Sequence, residues 1–169
     1  GDGAFESNSI SSLTLGTGLT SIAIGAFAYN NLTTVTIPDS VTFIGNRAFE
    51  SNSISSLTLG TGLTAIGDNA FFMNDLTTVT IPDSVTSIGD GAFSTNDISS
   101  LTLGTAVEKI GDYAFDNNNL STVTIPDSVT SIGDRAFEDN KLTSVTIPDS
   151  VTSIGDRAFQ FNKLTSVTI

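Results

Sequence analysis

The dipeptide Ala-Phe recurs every 22 residues, at Ala4-Phe5, Ala26-Phe27, Ala48-Phe49, Ala70-Phe71, Ala92-Phe93, Ala114-Phe115, Ala136-Phe137 and Ala158-Phe159. Eight of the eleven phenylalanines fall in this one column. An Asn column keeps the same register from Asn8 to Asn162 and a Thr column from Thr14 to Thr168, while aliphatic columns begin at Ile10, Leu13, Leu15, Leu19 and Ile22. One unit has five aliphatic residues and one Phe, too few to enclose a core alone. Stacked copies solve this, because each coil covers the apolar edge of the next. The period therefore predicts a solenoid.

Within a unit, the stretch Leu142 to Ile147 ends in strand-like alternation, so Val145 and Ile147 point inward while Ser144 and Thr146 point out. Pro148 lacks an N–H and closes the strand. Val151 and Ile154 re-enter the core on the return side, and Gly155 permits a sharp turn. Asp156 is placed to cap a single helical or 3-10 turn holding Ala158 and Phe159. The Phe column is expected to stack as a spine, and the Asn column to bond to loop backbone. A 44-residue rhythm overlies the first: units reading Leu-Thr-Leu-Gly-Thr-Gly-Leu (from Leu13 and Leu57) alternate with units reading Val-Thr-Ile-Pro-Asp-Ser-Val (from Val35 and Val79). Residues 123–137 and 145–159 are identical, a mark left by recent duplication or by consensus design as a repeat scaffold.

The pattern L-x-x-V-x-I-P-x-x-V-x-x-I-G-x-x-A-F, and within it P-D-S-V-T-S-I-G-D-x-A-F, resembles the leucine-rich repeat of the BspA-like (treponemal-type) family of bacterial surface proteins over essentially the whole chain. Asn stands where family members usually carry Cys, and the second unit departs, with Ala23 and Ile24 in place of Gly and Asp. The resemblance implies a right-handed leucine-rich repeat solenoid, a secreted or cell-surface setting, and adhesion or host-protein binding. The expected architecture is mainly β, with one short parallel strand per coil and short 3-10 or helical turns. Residues 1–169 read as one repeat domain of eight units, the first and last partial, and as a piece of a longer array. Unprotected apolar ends would then favour end-to-end self-association.

Composition excludes several functions. With no Cys and no His, the chain has no disulfide, thiol nucleophile, His-based triad, or metal site built on those ligands. Six Lys and Arg against eighteen Asp and Glu give a net charge of −12, which lacks the basic footprint nucleic acids require. No run approaches the length of a membrane span, and none of the 169 residues reads as a signal peptide. The carboxylates occur as equivalent copies with no unlike pair, so the reading is non-enzymatic, with no cofactor.

Function then rests on outward columns. The strand face offers Thr34 and Thr36, Ser56 and Thr58, Thr78 and Thr80, Ser100 and Thr102, Thr122 and Thr124, and Ser144 and Thr146 as a ligand-binding platform. It suits an extracellular protein or surface ligand, although it has no Trp, Tyr or Arg anchors. A regular ladder of Thr-x-Thr also resembles the faces of solenoid antifreeze proteins, which makes ice an alternative ligand. The Asp column from Asp68 to Asp156 and the residues Asp39, Asp83, Asp127 and Asp149 read chiefly as turn caps, with calcium between coils as the rival. Tyr29, Phe43, Phe72, Met73, Tyr113 and Phe161 interrupt otherwise polar columns.

Overall fold

The computed structural model describes residues 1–169, and short strands recur from Ser21 to Thr168. In chain order they are β1 (Ser21–Ile22), β2 (Thr34–Thr36), β3 (Phe43–Ile44), β4 (Ser56–Thr58), β5 (Ala65–Ile66), β6 (Thr78–Thr80) and β7 (Ser87–Ile88). They continue with β8 (Ser100–Thr102), β9 (Lys109–Ile110), β10 (Ser131–Ile132), β11 (Ser144–Thr146), β12 (Ser153–Ile154) and β13 (Ser166–Thr168). All pairing is parallel, between residues 22 apart, as in Val35 opposite Leu57 and Ile44 opposite Ile66. The molecule is a parallel β-solenoid.

The core is the sum of the inward columns. Phe49, Phe71, Phe93, Phe115 and Phe137 are fully buried, and successive rings of the Phe column stack with centroids 5.3 to 5.5 Å apart. Each of the five fully buried rings contributes about 2–3 kcal/mol through burial. The Asn column closes the coils beside it. Asn96 donates from Nδ2 to the carbonyls of Phe71 (3.0 Å) and Phe93 (3.2 Å), and its Oδ1 accepts the N–H of Leu76 (3.1 Å). The pattern repeats at Asn30, Asn52, Asn74, Asn118 and Asn140, so one side chain satisfies backbone groups of two coils.

Two findings depart from the sequence expectation. First, most coils carry two strands, and the two lie in different sheets. The continuous ladder is the return-side dipeptide, in the order β1-β3-β5-β7-β9-β10-β12, whereas the Thr-x-Thr segments pair only as β2 with β4, β6 with β8, and β11 with β13. The proline explains the breaks. Pro38, Pro82 and Pro148 follow β2, β6 and β11, Pro126 follows the equivalent unpaired segment 122–124, and none of these four segments pairs with the coil before it. Proline brings no N–H and a bulky ring where the coils approach. The paired strands β4 and β8 are followed instead by Gly60 and Gly104, which pack on the backbone of Pro38 and Pro82. A Cβ on Gly60 would lie 2.5 Å from the Pro38 carbonyl carbon, so only glycine permits that closeness.

Second, the Ala-Phe segment forms two consecutive tight turns and no 3-10 or α-helix. Ala48 N–H bonds to the Gly45 carbonyl and Glu50 N–H to that of Arg47, while the intervening Phe49 N–H reaches across to Ala70 of the next coil. The Asp column therefore caps the neighbouring coil, not its own turn. Asp68 Oδ1 accepts the N–H of Asp90 (3.0 Å), Asp90 that of Asp112 (2.9 Å), and Asp112 that of Asp134 (2.7 Å).

Candidate functional site

Thr34, Thr36, Ser56, Thr58, Thr78, Thr80, Ser100, Thr102, Thr122, Thr124, Ser144 and Thr146 are all exposed, as the alternation requires. The residue between each pair turns into the core: Val35, Val79 and Val145 are buried, and Leu57, Leu101 and Val123 pack against the core. None of the twelve outward hydroxyls bonds within the chain, whereas the return-side Thr42, Thr64, Thr86, Thr130 and Thr152 hydroxyls all bond to a carbonyl one coil back. The strand-face hydroxyls thus face solvent without an intrachain partner. Proline divides them into paired blocks, and a groove of about 370 Å³ opens between Thr122–Thr124 and Ser144–Thr146, where no ladder forms.

The post-proline Asp residues have a role the sequence did not disclose. Asp39 Oδ1 accepts the backbone N–H (2.7 Å) and hydroxyl (3.0 Å) of Thr61, and Asp83 does the same with Thr105. These bonds, the backbone N–H foremost, hold both carboxyls below the usual carboxylate range. Thr61 and Thr105, which interrupt this Asp column, are the hydrogen-bond partners of Asp39 and Asp83. Nowhere do three metal-ligating side chains converge.

The Ala-Phe turn is the least uniform part of the coil. Two columns there adopt left-handed backbone with ordinary side chains: Arg47, Asn69, Tyr113, Arg135 and Arg157 in one, and Ser7, Tyr29, Ser51, Met73, Thr95, Asn117, Asp139 and Phe161 in the other. Tyr29, Met73, Tyr113 and Phe161 are exposed, as is Phe43 on the continuous ladder, and Phe72 is half-buried. Arg47 and Arg135 each lie 3.6 Å from the glutamate three residues on, Glu50 and Glu138. Tyr29 donates its hydroxyl to Glu50 Oε1 (2.9 Å), a bond that raises the Tyr29 pKa. The signal for this face was available: these columns vary from unit to unit while the framework columns do not.

A model of the BspA type leucine rich repeat region, in six copies, matches residues 1–120 and 91–169. The chain belongs to the BspA-type leucine-rich repeat family. Among solved structures, this repeat array is similar to a leucine rich cell surface protein from Faecalibacterium prausnitzii A2-165, at 28% identity and a TM-score of 0.54, over 92% of this chain and 45% of that one. It also shares its fold with the pneumococcal vaccine antigen PcpA (24% identity, TM-score 0.59, 88% of this chain and 35% of that). A leucine-rich repeat protein from Bacteroides ovatus ATCC 8483 has the same fold (24% identity, TM-score 0.52, 88% of this chain and 52% of that). The chain thus spans about half or less of the length of these structures. No curated protein matches the sequence. No helix is long and apolar enough to cross a membrane.

Proposed function

We propose that this array is a non-enzymatic, extracellular protein-binding or adhesion module of a bacterial surface protein, and that it meets its partner across the Ser/Thr-x-Thr face. The observation that carries the reading is the set of twelve exposed strand-face residues whose hydroxyls bond to nothing in the chain, held on a framework whose Asn column, Asp68-to-Asp156 column and return-side Thr residues bond between coils. Membership in the BspA-type family and similarity to a leucine rich cell surface protein support the surface setting. Ice recognition needs a long uninterrupted array; the breaks at the proline coils favour a protein ligand instead.

The test is binding of the purified chain to immobilised extracellular-matrix proteins, comparing wild type with Thr78→Lys/Thr80→Lys/Thr102→Lys. These exposed positions tolerate the change, so the fold is retained. Saturable binding lost in the triple variant is the expected result. Binding undiminished in that variant, or shaping of ice crystals by the wild type, would overturn the proposal.

A further inference from the structure

The copies in this chain differ most around the Ala-Phe turn, and one place on that face departs from its neighbours in a chemically specific way. In the coils of Arg47 and Arg135, the left-handed position carries an arginine, and three residues on a buried glutamate accompanies it. Arg135 also lies over the ring of Tyr113, its guanidinium carbon 5.3 Å from the ring centroid. The turn face thus already holds a guanidinium between an aromatic face and a carboxylate.

One coil earlier the acid is kept and the arginine is missing. Asp116 occupies the position of Glu50 and Glu138, but Tyr113 stands where they have Arg47 and Arg135. The coil before that has Gly91 at the arginine position, flanked by the larger Asn69 and Tyr113. A cleft of about 510 Å³ lies beside Gly91, lined by Asn69, Phe72, Tyr113, Asp90, Asp112 and Asp116 together with the buried Ser94; Asn69 leans over Gly91, its Oδ1 2.5 Å from where a Cβ would stand. Asp116 is half-buried and forms no ion pair; its one side-chain partner is the Ser94 hydroxyl at a long 3.5 Å. Burial, then the negative charges of Glu138 and Asp139, disfavour its ionised form. A carboxylate in that condition gains most from a cation delivered from outside.

We propose that the Gly91 cleft receives an arginine side chain of a protein partner, stacked between Phe72 and Tyr113 and paired with Asp116. The planar, weakly hydrated guanidinium suits aromatic walls and a carboxylate better than the strongly hydrated ammonium of lysine. The net charge of −12 attracts basic partners generally, and the cleft is where that attraction acquires a shape. This inference rests on the binding-module reading but not on the strand face, since none of the cleft residues belongs to it.

The test is an amide-NMR titration with acetyl-Gly-Arg-Gly-amide, with the uncharged citrulline peptide in parallel. Arginine peptide at millimolar concentration is expected to shift Gly91, Ser94, Thr95, Tyr113 and Asp116 amides, while the citrulline peptide leaves them in place. Asp116→Asn, nearly isosteric, should weaken binding about ten-fold, the scale of one charge-assisted contact. Gly91→Arg should abolish it by filling the cleft; Arg47, Arg135 and Arg157 already occupy this column at the same left-handed φ, and the one atom a Cβ would strike, Asn69 Oδ1 at 2.5 Å, is the end of a side chain that can swing aside. The proposal is overturned by equal shifts with citrulline, by shifts confined to the Thr-x-Thr strands, or by unchanged affinity in Asp116→Asn. Because the strand-face triple variant leaves the cleft intact, it should bind the peptide normally, which separates this inference from the adhesion reading.

Discussion

Replacing Asn96 by Ala tests whether the Asn column holds the coils together. The side chain makes four bonds, but its loss does not orphan four groups. The Phe71 carbonyl keeps the amide of Asn74, the Phe93 carbonyl keeps that of Asn118, and the Ser94 carbonyl keeps the N–H of Met73. Only the N–H of Leu76, a residue with no exposed surface, has nowhere else to go. An orphaned buried donor costs about 1–3 kcal/mol, and the small void left by the amide adds roughly 1, so Asn96→Ala should destabilise by about 2–4 kcal/mol. Asn8 provides the control: it is exposed, bonds only to the nearby Phe5 and Glu6 carbonyls, and accepts no amide, so Asn8→Ala should stay within about 0.5 kcal/mol of wild type. Urea unfolding followed by circular dichroism measures both. Hydrogen exchange at the Leu76 amide localises the effect, which matters because stacked coils can open segment by segment. Asn96→Asp preserves the acceptor for Leu76 but turns the donors that face three carbonyls into a buried carboxylate. It should be worse than Ala at neutral pH and recover on acidification. Equal stability of Asn96→Ala and Asn8→Ala, or unchanged exchange at Leu76, would refute the reasoning.

The other expectations concern coil stacking, the spine and titration. Gly62→Ala would drive a Cβ into the Asp39 carbonyl oxygen and should separate β4 from β2, whereas Gly18→Ala, the same position with nothing within 4 Å, should be neutral; differential scanning calorimetry distinguishes them. Phe93→Ala removes a fully buried ring from the stack and should cost about 3–5 kcal/mol in denaturant unfolding. The amides of Val123, Thr124 and Ile125, which make no backbone bond to either neighbouring coil, should exchange faster than those of β6 or β11. Asp116 has its pKa raised above its ordinary 3.8, so its contribution to stability is fullest below that pH and is lost as pH rises through the folded value. Asp116→Asn should accordingly gain thermal stability over wild type at about pH 7 but little at about pH 3. Asp39 and Asp83 have the opposite sign: their lowered pKa values give stability present at neutral pH and lost as pH falls through the folded values, and Asp39→Ala should flatten that acid limb.

Much of this molecule is legible in one 22-residue unit. The Ala-Phe period, the alternation around Val145 and the amide chemistry of Asn identify a solenoid with a Phe spine, an outward Thr face and an Asn column bonded to backbone, because each depends on side chains whose direction local geometry sets. What the unit cannot disclose is how far one coil lies from the next. That separation decides that the return-side dipeptides form the continuous ladder, that proline splits the Thr face, and that Asp68 caps Asp90 of the following coil and not its own turn. It also decides that Phe72, Tyr113 and Asp116, from the coils on either side, line one open cleft beside Gly91. Contacts between residues 22 apart exist only once the coils have stacked, so sequence determines the coil, and tertiary structure determines what the stack exposes.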